Sequence, residues 1–178
     1  MAAGREVWAL GAVVALGCFV SPAEAAEELP DRQDAHVLSL SPAYRDLLDQ
    51  QQSAMALTAA WGLGSVGAGV TLLARDSTPF VRGFATQQVA WGAIDAAIGF
   101  WAWHDFARRR EAPEDVGQRK WLHDLYLVNS ALDLGYMALG AVLMAQADES
   151  VRGHGAGVLL QGAWLALFDG ANAWLTRP

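Results

Sequence analysis

Residues 125–147 read LYLVNSALDLGYMALGAVLMAQA, and Asp133 is the one charged side chain among them. A helix of that length crosses the hydrocarbon of a bilayer. Asn129 and Asp133 stand four residues apart, so a helix stacks them on one face, with Gly140 two turns further on. A carboxylate in the middle of an apolar span is costly and asks for a partner. It therefore marks either a functional position or a polar link between helices.

The remainder of the chain fits a membrane architecture. Charged residues make up 17% of the 178 residues, against roughly a quarter in soluble domains. There are eight Trp and eighteen Gly, residue types that suit interfacial belts and membrane helices. The net charge of −7 leaves no basic stripe to neutralise phosphates, which argues against a nucleic-acid partner. Cys18 is the single cysteine, and it lies in the N-terminal apolar run. Once that run is removed, no thiolate ligand, disulfide or cysteine nucleophile is left.

Residues 1–25 read as a signal peptide: Arg5, an apolar core over 7–20, and Ala23-Glu24-Ala25 as the small-x-small cleavage pattern. An uncleaved first span is the alternative. Residues 26–40 form an exported polar linker. Ser41-Pro42 then supplies a helix N-cap and a first-turn proline. Tyr44, Leu47, Leu48 and Met55 recur at helical spacing. That first stretch is expected to lie on the membrane surface before running into span one.

The spacing predicts an all-α, four-helix transmembrane bundle over 41–178, with spans near 53–73, 83–103, 125–147 and 155–175. Thr58, Gly62, Ser65 and Gly69 form a small-residue stripe of the kind that lets helices approach closely in lipid. Val81-Arg82-Gly83 returns as Val151-Arg152-Gly153, and Gly92-Ala93 as Gly162-Ala163. These echoes point to two repeated hairpins, about 41–110 and 111–178. Each copy holds two spans, so the copies keep one orientation and share an axis along the membrane normal.

Asp95, Asp133 and Asp169 all fall at one depth, displaced from the span centres by roughly 3 to 6 Å toward the arginine-rich loop at 107–120. Asn129 and Asn172 lie on that side too. These five residues are the candidate polar cluster. They serve either as interhelical hydrogen bonds or as a site for a cation, a proton or a cationic solute. Gln88 and Gln161 are expected to be helix-packing hydrogen bonders. His104-Asp105 and His123-Asp124 flank the central loop beside Trp101, Trp103, Trp121 and Tyr126. Their spacing matches an interfacial belt rather than a metal site. No metal, no cofactor and no nucleophile–base pair is expected, so the chain is not read as an enzyme. The expected contacts are the bilayer and a homodimer or a membrane partner protein.

A cleaved signal peptide places the mature N-terminus, and with it the arginine-rich loop, outside the cytoplasm. The positive-inside rule asks for the opposite. We follow the signal peptide.

The firmest motifs are Trp91 with Asp95 and Ile98, the run from Leu127-Val128-Asn129 through Asp133 to Tyr136, and Gly155 through Gln161-Gly162 to Phe168-Asp169. On these the chain resembles a group of small exported bacterial membrane proteins catalogued only as a domain of unknown function. The resemblance implies the four-helix architecture and brings no activity. Where this chain has Gly92 and Asp95, such proteins usually have Asn. The departure adds an acid here and sets Asp95 apart from any shared proton role. The expected function is a structural or accessory part of a membrane assembly. The alternative is a small transporter that uses the intramembrane carboxylates.

Overall fold

The computed structural model describes residues 40–75 and 78–178. The expected signal peptide and nearly all of the expected linker lie outside these residues. Among the described residues there are four α-helices and no strand: α1 Pro42–Leu73, α2 Pro79–Arg108, α3 Gln118–Met144 and α4 Glu149–Leu175, with a 3-10 turn at Arg109–Glu111.

Local chemistry sets the starts. The Ser41 hydroxyl accepts from the Tyr44 N–H at 3.2 Å, and Pro42 takes a first-turn place whose missing N–H is no loss. Thr78 and Pro79 repeat the device at α2, with Val81 N–H donating to the Thr78 hydroxyl. Asp148 caps α4 by accepting from Ser150 and Val151 N–H at 2.8 and 3.1 Å. Helices α1, α2 and α4 begin before the spans expected of them, because these caps lie in the flanking polar sequence. Helix α3 begins at Gln118, ahead of the expected 125, and stops at Met144, short of the expected 147.

Helix α1 packs on α2, α3 packs on α4, and α2 packs on α4. The two hairpins are antiparallel within themselves. Helices α2 and α4 run parallel along a central seam: Gly83 lies beside Gly153 at one end, and Gln88 bonds Gln161 further along.

The hairpins close through glycine. A Cβ added at Gly69 would stand 2.7 Å from the Ala85 carbonyl and 3.0 Å from the Val89 nitrogen. One added at Gly140 would stand 2.9 Å from the Gly155 carbonyl and 2.7 Å from the Leu159 nitrogen. Only a bare Cα allows backbones so near, and dispersion between them replaces side-chain interdigitation.

The first turns of α1 depart from expectation. Tyr44, Leu47 and Leu48 are buried, Leu48 completely. With Leu40, Met55, Phe106, Leu122, Tyr126 and Phe168 they form the apolar cluster at the central-loop end. A surface placement fails because Tyr44, Leu48, Gln51 and Met55 make one stripe at alternating spacings of four and three, wide enough to pack against the other helices.

Candidate functional site

Three polar layers cross the interior. The layer nearest the helix turns is built on Gln161, at 1% exposure. Its Oε1 accepts from Trp61 Nε1 at 2.9 Å. Its Nε2 donates to Gln88 Oε1 at 3.0 Å and to Ser65 Oγ at 3.3 Å. One amide thus ties α1, α2 and α4. Below it Trp61 stacks on Trp164 with ring centroids 4.3 Å apart, and Trp164 on Phe168 at 6.2 Å. Trp91 meets Tyr136 edge-on at 5.2 Å, joining α2 to α3.

The middle layer holds Asp95, Asp133 and Asp169, exposed by 3%, 3% and 5%. It lies roughly 10 to 12 Å along the helices from the glutamines, given seven or eight residues of rise. The Asp133 and Asp169 carboxyls stand within hydrogen-bonding reach of each other. Asp95 is near enough for its charge to act on both. Oδ2 of Asp95 and Oδ2 of Asp133 are buried with no donor opposite them among the described residues. The fold therefore brings the three acids together.

It treats the two asparagines differently. Asn172 is buried, but its Nδ2 donates to the Phe168 carbonyl of its own helix at 2.9 Å. Asn129 is half-buried and makes no side-chain hydrogen bond among the described residues. A separation of four residues turns the helix by about 40° past a full turn. Asp133 faces the seam, and Asn129 is swung toward its edge.

Sequence reasoning missed the third layer, at the central-loop end. The Tyr126 hydroxyl donates to Gln51 Oε1, and the Tyr44 hydroxyl to Gln118 Oε1 at 2.8 Å. Arg109 also reaches Gln118, at 3.3 Å, and pairs with Asp105 at 2.7 Å. The rim is closed by Arg110 on Asp49 and by Ser41 on Glu114 at 3.0 Å. The signal was present in the stripe that carries Gln51 between Leu48 and Met55. It points inward only once that stripe is read as packed.

Among the described residues, no group of three or more His, Cys, Asp and Glu is placed to hold a metal ion. His104 is exposed. The Nδ1–H of His123 donates to the Ala173 carbonyl at 2.8 Å.

The fold and its interior define an all-helical protein of two packed hairpins with polar layers between them. The chain belongs to a family of unknown function, DUF6992, whose model matches residues 57–170. The match takes in all three acids, Gln88 and Gln161, and begins after the packed first turns of α1. No curated protein and no solved structure matches the chain.

Proposed function

We propose that this chain is a multi-pass membrane protein without enzymatic activity, a structural or accessory component of a membrane assembly. One observation carries the reading: polarity is turned inside out. Gln51, Gln88, Gln161 and the three acids are buried, while Leu63, Val70, Val128, Leu134, Val142 and Leu167 are exposed by half or more. So many exposed large apolar side chains around a polar interior suit lipid as the solvent.

Helices α1 and α3 are each long and apolar enough to cross a membrane, and their most apolar stretches are only 28% and 11% buried. The core helix of a soluble protein would be mostly covered. Helices α2 and α4, which meet along the seam, would cross beside them.

An internal duplication is supported by the glycine contacts. Ala85 and Val89 receive Gly69 as Gly155 and Leu159 receive Gly140. Residues 81–89 and 151–159 carry the same burial at each position. Partners are the bilayer and a second copy or a membrane partner protein. The location is the cell membrane, with the mature N-terminus outside and starting at Ala26 after export.

Membrane fractions washed with alkaline carbonate test the proposal. The chain should stay in the pellet, and N-terminal sequencing should begin at Ala26. Recovery as a soluble monomer would overturn the membrane reading, and a start at Met1 would replace the signal peptide by a fifth span.

A further inference from the structure

We infer that the Asp133–Asp169 pair is a proton-binding site, with one proton held between the two carboxyls. The first ground is the absence of any base to neutralise them. Residues 53–73, 83–103, 125–147 and 155–175 contain no Lys, Arg or His. Three carboxyls at 3% to 5% exposure therefore have no cation within these four segments, and an uncompensated buried charge is strongly disfavoured. A proton taken up from outside removes one of those charges.

The second ground is geometry. Asp133 and Asp169 are within hydrogen-bonding reach of one another. Two carboxylates offer each other no donor, which leaves Oδ2 of Asp133 without a partner. A single proton makes one of them a hydroxyl donor and the other its acceptor, as in other carboxyl pairs that share one proton.

The third ground is Asp95, a separate side chain of α2. It is 3% exposed, its Oδ2 is unpartnered, and it adds negative charge beside the pair. A proton fits this arrangement better than a metal ion, because the acids are not placed as a metal-ligand set.

A further titratable group facing the pair is Tyr126 of α3, which lies near Asp169 and spends its hydroxyl proton on Gln51. Helix α1 has no titratable side chain after Asp49. The inference goes beyond the membrane reading, and carbonate extraction tests that one separately.

The test uses the purified full chain in detergent and dicyclohexylcarbodiimide. This apolar reagent adds to a protonated carboxylic acid, whose O–H proton moves to the reagent nitrogen, and the stable N-acylurea retains every atom of both. Intact mass and peptide mapping at neutral pH should find one adduct per chain, on Asp133 or Asp169. Infrared spectra should show the carbonyl band of a buried carboxylic acid that shifts in heavy water.

In Asp133→Asn the new amide donates to Asp169, which then needs no proton, so adduct and band should both be lost while helicity and elution volume stay. Asp169→Asn should do the same from the other side. A band without an adduct supports the site and means only that the reagent does not enter. Wild-type protein with neither overturns the inference, and so does an undiminished band in both Asn variants. In either case the membrane reading stands or falls on its own experiment.

Discussion

Gly83 and Gly153 make a reciprocal contact: the Ser150 carbonyl faces Gly83, and the Phe80 carbonyl faces Gly153. Each carbonyl belongs to the residue three places before the opposite glycine, so the contact maps onto itself when the helices are exchanged. This is the signature of a two-fold relation, here between two segments of one chain. It also makes both glycines sensitive. Gly83→Ala and Gly153→Ala should each destabilise the protein by about 1–3 kcal/mol, the range for overpacking. Gly64→Ala and Gly135→Ala, with nothing within 4 Å of the new Cβ, should be neutral or stabilising by up to about 1 kcal/mol through helix propensity. Thermal unfolding in detergent reads all four. Equal effects at inner and outer glycines would remove the close crossing as their cause.

Two tyrosines hold the central-loop end, and their removal should not be equivalent. Gln118 keeps Arg109 when Tyr44 is lost. Gln51 has Tyr126 as its side-chain partner, and its Nε2 is already buried without one. Tyr126→Phe therefore leaves a whole amide orphaned at 0% exposure. It should cost about 1–3 kcal/mol, against about 0.5–1.5 for Tyr44→Phe. A larger loss for Tyr44→Phe would reverse this assignment.

The four helices were legible because Ser41-Pro42 announces the first start and four charge-poor apolar runs mark the rest, while the starts at Pro79, Gln118 and Glu149 fall in sequence that reads as break or loop. The acids were legible as a group because depth depends only on rise per residue and span direction. What escaped was rotation about each helix axis. Tyr126 and Gln51 meet because two helices happen to turn toward one another, and no spacing within either helix states that. The same ignorance paired Asn129 with Asp133 on one face, although the packed helix gives the buried place to Asp133 alone.

His154 gives a pH-dependent stability. The Gln87 amide donates to its Nδ1 at 3.1 Å, which requires an unprotonated acceptor nitrogen. Burial lowers the pKa of the imidazole below its ordinary 6.5. The unfolded chain then binds the proton more readily than the folded one. Stability is full above the unfolded value and is lost as pH falls below it. Between about pH 7 and pH 5, the wild type should lose more melting temperature than His154→Gln, which cannot titrate. Parallel losses in the two proteins would show that the imidazole is not responsible.

Topology is decided at the turn between α2 and α3. Asp115 caps that turn by accepting from Gly117 N–H at 2.9 Å, and Val116 is exposed. A cysteine at Val116 in a Cys18→Ser background should react with a membrane-impermeant maleimide from outside intact cells. Labelling only after lysis would put the arginines in the cytoplasm, as the positive-inside rule asks, and would remove the exported N-terminus.

Asp95 and Asp133 have equal exposure, yet substitution should act on them with opposite sign. Asp133 has the Asp169 carboxyl as a partner, and Asp133→Leu leaves that partner alone in the core. A loss of about 1–2 kcal/mol is expected, the size of an interhelical hydrogen bond in lipid. Asp95 has no partner for Oδ2 and contributes only a third negative group to a layer that has no base. Asp95→Asn keeps the shape, removes that charge, and adds two N–H donors beside an acceptor oxygen of Asp133 that lacks one. It should therefore stabilise the protein by about 1–3 kcal/mol, the usual penalty of an orphaned buried polar group. Melting in detergent at neutral pH compares the two variants directly. Destabilisation by Asp95→Asn as large as that by Asp133→Leu would mean that Asp95 has a donor of its own, and the three acids would then be a satisfied network.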